Sequence, residues 1–268
     1  MKKYSQKYLI TNDSMDINYR LRPISAIMYF QDCIARYMTV KNLAAFDIVG
    51  KHLFWIVSEF NIQFEKELPF WSEEIEVITW VSEVSKLKVY IDFELKHNDE
   101  IFAKGNSLWF ILNSETKRPT IADNLFGSEE IITETALGEH QKFQTAALKE
   151  KIQETTHKTN LSDLDFNYHV NNKSYINLAE KTCSEDFKKS HTLKKLSVKY
   201  NKESFLGDTL VCSTYTTNEE QTLVHKIERD GVSVCDLSTC WIDKIKETPI
   251  LDVELSVRKN QNNLCKVL

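Results

Sequence analysis

Glycine is scarce in this chain, with six residues in 268. They form neither a GxGxxG turn nor a P-loop, so nothing supports a nucleotide cofactor, and no cofactor of any kind is expected. The six cysteines (Cys33, Cys183, Cys212, Cys235, Cys240 and Cys265) make no CxxC pair and no paired spacing with histidine, which speaks against a zinc site. Scattered on otherwise apolar segments, they predict reduced core thiols and a cytoplasmic protein. No run of about 18 apolar residues is present, so no membrane span is expected. The first sixteen residues have two adjacent lysines but no apolar stretch and no small-residue cleavage site, so they are not expected to act as a secretory signal. The net charge of −5 argues against a nucleic-acid binder.

What is present reads as a folded globular chain, 42% hydrophobic and 11% aromatic. From Pro23 to about Ala45, the residues Ile24, Ile27, Met28, Phe30, Ile34, Tyr37 and Met38 recur at the spacing of an amphipathic helix. Pro23 suits its first turn. Residues 86–96 alternate strictly, with Leu87, Val89, Ile91, Phe93 and Leu95 on one face and Lys88, Tyr90, Asp92, Glu94 and Lys96 on the other. Strands are also expected at 53–65, 74–83 and 101–112, with a hairpin turn at His97-Asn98-Asp99. Residues 115–142 break the pattern and read as a connector.

The second half repeats the plan: a strand-like region before Asn160, a helix at about 172–188, then strands near 194–203, 208–217, 221–229 and 232–243. A polar tail follows from Glu247. The letters repeat as well. DINYRLRPIS at 16–25 aligns with DFNYHVNNKS at 165–174, and FNIQFEKE at 60–67 with LSVKYNKE at 196–203. Two copies of one unit are therefore expected, at 1–140 and 141–268. A long helix followed by an antiparallel meander describes an α+β hotdog unit, and a duplicated one describes a tandem hotdog.

Within the repeat, His169 stands where the first copy has Arg20. Asp165, Asn167 and His169 alternate by two, so an extended segment points all three one way, just before a helix N-terminus that favours developing negative charge. An imidazole, a carboxylate and oxyanion donors suit acyl transfer. Arg20, permanently charged, cannot act as a base. The competing reading is an Asn-rich helix cap carrying an incidental histidine.

This segment resembles the acyl-acyl carrier protein thioesterase family of plant plastids and bacteria, whose D-x-N-x-H-V-N-N-x-x-Y signature is matched by DFNYHVNNKSY through Tyr175. The family's second segment, Y-x-x-E-C, is met by Tyr200-Asn201-Lys202-Glu203-Ser204, with serine in place of the cysteine. The first half is similar too, in LFWIVSEFNIQFEKELPFWSEEIEVITWVSE and SLWFILNSETKRP, and the likeness spans about 8–245. It implies hydrolysis of fatty acyl thioesters on acyl carrier protein. Asp165 would position and polarise the site, Asn167 and His169 would hold the carbonyl and a water, and Glu203 would be the general base. Ser204, lacking a paired base, favours direct attack by water.

Lys181, Lys188, Lys189, Lys194, Lys195, Lys199 and Lys202 are expected either to dock an acidic carrier or to form a solvated face. The acyl cavity is expected against the first helix and strand 53–65. Rival readings are an acyl-CoA thioesterase, a hotdog dehydratase (which needs another acid/base pair and a Pro-Gly turn) and a non-catalytic acyl-thioester binder. A fused pair is complete as a monomer, though a homodimer fits equally.

Overall fold

A strand, a helix and four further strands occur twice in chain order. The computed structural model describes residues 2–122 and 125–244, so the expected tail from Glu247 and Cys265 lie outside the described residues. The first copy has β1 (Tyr4–Leu9), α1 (Pro23–Val40), a short α2 (Ala45–Ile48), β2 (Leu53–Phe64), β3 (Glu74–Ser85), β4 (Lys88–His97) and β5 (Glu100–Asn113), with a two-residue β6 (Pro119–Thr120) beside β5. The second has β7 (Leu148–Lys158), α3 (Asn172–Glu180), α4 (Glu185–Ser190), β8 (His191–Tyr200), β9 (Thr209–Thr217), β10 (Thr222–Arg229) and β11 (Val232–Asp243).

All strands but β6 lie along one antiparallel path, β1-β3-β4-β5-β2-β8-β11-β10-β9-β7. Read outward from its middle, the same order of equivalent strands appears on each side. The middle is the β2–β8 pairing, where residues 59–63 run against 195–199 and Asn61 lies opposite Ser197. Those two positions are equivalent in the letter repeat, so a local two-fold axis passes between them. The fold is the expected double hotdog, with the two copies joined into one sheet.

Each element has a local cause. Asn98 and Asp99 both take positive φ (49° and 64°), giving the β4–β5 hairpin the primed turn that matches strand twist. The first helix stops at Val40 rather than near Ala45. Asn42 adopts φ 54°, and the N–H groups of Asn42 and Leu43 return to the Thr39 and Met38 carbonyls, a Schellman ending. The expected helix at 172–188 is two helices, because Ser184 starts a new one by accepting the Phe187 N–H at 3.2 Å. On the inner face Phe30 of α1 meets Phe93 at 4.3 Å, and Phe93 stacks on Phe60 at 4.8 Å.

The middle of the polar face of β4 is buried as well, at Tyr90, Asp92 and Glu94, with Asp92 0% exposed. The connector lies over it. Trp80 Nε1 donates to the Glu134 carbonyl (2.8 Å), the Ala136 N–H to Asp92 Oδ1 (2.7 Å), Asn61 Nδ2 to the Gln141 carbonyl (3.0 Å), and the Phe143 N–H to Glu59 Oε2 (2.8 Å). The outward polar side chains thus satisfy the backbone of an irregular segment, as burial of such a segment requires.

Candidate functional site

Two adjacent turns build the candidate site. In the first, Asp165 Oδ1 accepts the backbone N–H of Asn167 (2.8 Å) and of His169 (3.2 Å). The Asp165 N–H donates to the His169 carbonyl (2.8 Å), the Tyr168 N–H donates to the Asp165 carbonyl (3.1 Å), and Tyr168 sits at φ 63°. The segment is therefore a closed turn. The expectation of an extended stretch with three side chains aimed one way does not hold, because the Asp165 carboxylate folds back onto the turn's own amides. Asn167 is exposed at the tip, and its side chain makes no hydrogen bond to the described residues.

Helix α3 starts three residues after His169, with Asn171 accepting the Lys173 N–H at 3.0 Å as its cap. The second turn, 203–208, is held alongside by the Val170 N–H donating to the Ser204 carbonyl at 2.8 Å. This brings Glu203 Oε1 to 3.5 Å from His169 Nδ1, while the Phe205 ring meets the imidazole edge-on at 5.3 Å. Ser204, next in line, is 0% exposed.

Sequence reasoning missed what holds the second turn. Arg229, the last residue of β10, donates from Nη1 to Asp208 Oδ2 (2.5 Å) and to the Glu203 carbonyl (3.1 Å). Asp208 Oδ2 also accepts the Phe205 N–H at 2.8 Å. Burial works against the Asp208 charge, yet the Phe205 N–H and Arg229 outweigh it and hold this carboxyl below its ordinary range. The missing signal lay one step beyond the aligned letters, where Phe70-Trp71-Ser72-Glu73 faces Phe205-Leu206-Gly207-Asp208 after a one-residue shift.

The first copy repeats this scaffold bond for bond. Asp16 Oδ1 accepts the N–H of Asn18 (2.8 Å) and of Arg20 (3.0 Å), and Tyr19 sits at φ 61°. Glu73 Oε2 accepts the Phe70 N–H at 2.9 Å, and Ser72 and Gly207 share a left-handed φ (63° and 85°). The chemistry differs. Arg20 Nη2 lies 2.8 Å from Glu67 Oε2, its Nη1 donates to the Leu68 carbonyl (3.0 Å), and its guanidinium covers Phe70 at 4.0 Å.

A second group has the members of a nucleophilic relay but not its setting. Ser82 Oγ lies 2.8 Å from His140 Nε2, and Glu83 lies 3.2 Å from His140 Nδ1. Ser82 also donates to Asp92, and it is only 3% exposed beneath the connector. A carboxylate against the hydroxyl opposes an oxyanion there, so the group serves to pin the connector. Among the described residues no His, Cys, Asp and Glu cluster is placed to hold a metal ion.

One enclosed apolar gap of about 10 Å³ lies between Ile24 and Ile27 of α1, Ile176 and Ala179 of α3, and Leu196 and Leu237 of the second copy's strands. It lies between α1 and the second copy's sheet. At that size it admits one water-sized sphere, too little for an acyl chain. Glu180, whose carboxyl burial pushes up, lines both this gap and an open cleft of about 240 Å³ that also touches His157, Asp163 and Ser174.

Several of the expected lysines are already engaged. Lys188 pairs with Glu185 (2.7 Å), Lys189 with Asp186 (3.7 Å) and Lys194 with Glu65 (3.9 Å), while Lys195 and Lys199 lie in register with Gln63 and Glu59 on the sheet. No helix among the described residues is long and apolar enough to cross a membrane.

Comparison with known proteins bears on the family and the fold. The acyl-ACP thioesterase N-terminal domain matches residues 1–127, and the acyl-ACP thioesterase C-terminal domain matches 146–243. A chloroplastic oleoyl-acyl carrier protein thioesterase of Coriandrum sativum is 24% identical over 188 residues, 66% of this chain and 51% of the relative. A chloroplastic palmitoyl-acyl carrier protein thioesterase of Gossypium hirsutum is 27% identical over 186 residues, 66% and 44% of the two chains. The chain thus spans about half the length of these plant relatives. Among solved structures, a 12:0-ACP thioesterase from Umbellularia californica superposes with a TM-score of 0.80 at 20% identity, covering 90% of this chain and 98% of that one. An acyl-ACP thioesterase from Bacteroides thetaiotaomicron gives 0.78 at 20% identity, covering 89% and 97%. Those two likenesses speak to the fold, and the two domain matches settle descent: the chain belongs to the acyl-ACP thioesterase family.

Proposed function

We propose that the protein hydrolyses the thioester of fatty acyl groups borne on acyl carrier protein, releasing the free fatty acid and the carrier thiol. The observation that carries this is the His169–Glu203 pair at 3.5 Å beside the start of α3, in the same scaffold that holds Arg20 against Glu67 in the first copy. In this reading Glu203 removes a proton from water. The water oxygen adds to the thioester carbon, with His169, Asn167 and the positive end of the α3 dipole supporting the oxyanion. The tetrahedral adduct then collapses, the C–S bond breaks, and the thiolate takes up the proton. Asp165 positions the turn through the amides of Asn167 and His169. Asn167 joins only once substrate orders its side chain. Ser204 takes no part, because its side chain is wholly buried.

The two copies divide the labour in this proposal: 1–140 supplies acyl binding and half of the joined sheet, and 141–268 supplies the chemistry. The supporting observation is that the first copy's permanent cation leaves its glutamate no proton-accepting role. The rim of the second copy's turns supports a protein-borne substrate. Leu161, Phe166, Tyr168, Phe205 and Leu206 are all exposed there, Phe166 and Tyr168 each at 76%. Lys158, Lys173 and Lys202 border them without a carboxylate partner among the described residues. An apolar rim edged with unpaired lysines suits an acidic carrier better than the scattered lysines of 181–199.

The test is a product assay with acyl carrier protein, acyl-CoA and acyl-N-acetylcysteamine as acyl donors. Free fatty acid formed with the highest kcat/KM from the carrier substrate supports the proposal. Equal kcat/KM for acyl-CoA points to a general acyl-CoA thioesterase, and tight binding without product points to an acyl-thioester binder.

A further inference from the structure

The local two-fold relates more than the front pair. His97 is the last residue of β4 and Arg229 the last of β10, and β4 and β10 are equivalent strands. Each meets the carboxylate that accepts the phenylalanine N–H of the second turn. His97 Nε2 lies 3.5 Å from Glu73 Oε2, and Arg229 Nη1 lies 2.5 Å from Asp208 Oδ2. The first copy therefore carries arginine in front (Arg20) and histidine behind (His97), while the second carries histidine in front (His169) and arginine behind (Arg229). The two residue types have changed places across the axis.

This exchange has an electrostatic consequence. In the first copy the guanidinium sits directly on the glutamate carboxylate, Arg20 to Glu67 at 2.8 Å. In the second copy the guanidinium is spent on Asp208 and touches Glu203 only at its backbone carbonyl, 3.1 Å away. The Glu203 carboxylate faces an imidazole instead. The guanidinium occupies the carboxylate oxygens in the first copy, whereas in the second the carboxylate facing an imidazole keeps lone pairs open to a water. The same guanidinium stands 6.0 Å from the Phe205 ring, which also meets the His169 imidazole.

We infer that Arg229 is a positioning residue for the hydrolysis: paired to Asp208, it fixes the 203–208 turn so that Glu203 faces His169, while its charge is kept off the Glu203 carboxylate. The inference rests on the reading of Glu203 as the general base. Asp208 is the necessary partner, since without it the guanidinium is free to swing onto Glu203 as Arg20 does onto Glu67.

The experiment is a double-mutant cycle on a small substrate, acyl-N-acetylcysteamine, with circular dichroism confirming that each variant is folded at the assay temperature. Arg229→Met is expected to lower kcat about 10- to 100-fold with KM changed less than about threefold, the scale of a misplaced catalytic group. Asp208→Asn should lower kcat similarly, and Arg229→Lys should restore part of the loss. In a Glu203→Gln background Arg229→Met should cost little further, because its effect runs through Glu203. A loss of the same factor in both backgrounds, or an unchanged kcat in Arg229→Met, overturns the inference and leaves Arg229 a brace of the fold. If Arg229→Met does not fold, Asp208→Asn and Arg229→Lys carry the same comparison. A fully active Glu203→Gln single variant instead refutes the underlying assignment of the base, so the two failures are distinguishable.

Discussion

Arg20 and His169 occupy one position in two copies of the same turn, each with its backbone N–H on the carboxylate of an aspartate four residues earlier, at 3.0 Å and 3.2 Å. Each faces a glutamate three residues past the end of one of the two strands that meet at the axis, Glu67 after β2 and Glu203 after β8. One geometry therefore holds an arginine–glutamate pair on one side of the axis and a histidine–glutamate pair on the other.

Arg20→Gln should accordingly change stability more than turnover. It removes the pair to Glu67, a bond to the Leu68 carbonyl and the cover over Phe70. A fall in Tm of a few degrees is expected, with kcat/KM kept within about fivefold. Thermal melts and initial rates on one preparation check this. A turnover loss as large as that of His169→Ala would show that the first copy shares the chemistry.

Ser204→Ala should stay active within about tenfold, and acylating reagents aimed at serine should leave the enzyme uninhibited. The side chain is wholly buried where the Ser204 carbonyl receives the Val170 N–H, so it has no path to a thioester. Mass spectrometry of the protein quenched during turnover checks this, and an acyl adduct on Ser204 would count against direct attack by water.

His225 makes stability pH-dependent. It is fully buried in the second copy, with Thr214 Oγ1 at 2.7 Å from Nδ1 and Thr239 Oγ1 at 3.0 Å from Nε2, and burial pulls its pKa down to about 4. The unfolded chain, with the ordinary value of 6.5, takes up the proton first as pH falls. The stability gained by keeping the ring neutral is thus complete above pH 6.5 and lost progressively down to about pH 4, by up to about 3 kcal/mol. His225→Gln should flatten the fall in Tm between pH 6.5 and 4 relative to the parent protein. Parallel curves for both proteins would remove His225 from the account.

Much of this was legible in the letters because hydrophobic alternation and a duplicated motif both survive in one sequence. The strands from 53 to 112 and from 191 to 243 follow the period-two pattern, and the match of 60–67 with 196–203 marks the strands that meet at the axis. Strand β1 escaped notice, since Tyr4-Ser5-Gln6-Lys7-Tyr8-Leu9 buries only part of one face at the sheet's edge. The burial of Asp92 was illegible because the connector that covers it has no periodicity of its own. His169 and Glu203 could be named from the motif, but their approach depends on Asp165 bonding its own turn and on Arg229, sixty residues further on. Spacing by two described neither.

The most direct test of the central claim compares His169→Ala and Glu203→Gln with the parent protein in release of free fatty acid from acyl-acyl carrier protein. Both variants should remain folded by circular dichroism and lose about 100-fold or more in kcat, as removal of an acid/base or oxyanion group does. Near-parental fatty acid release by both folded variants would contradict the account.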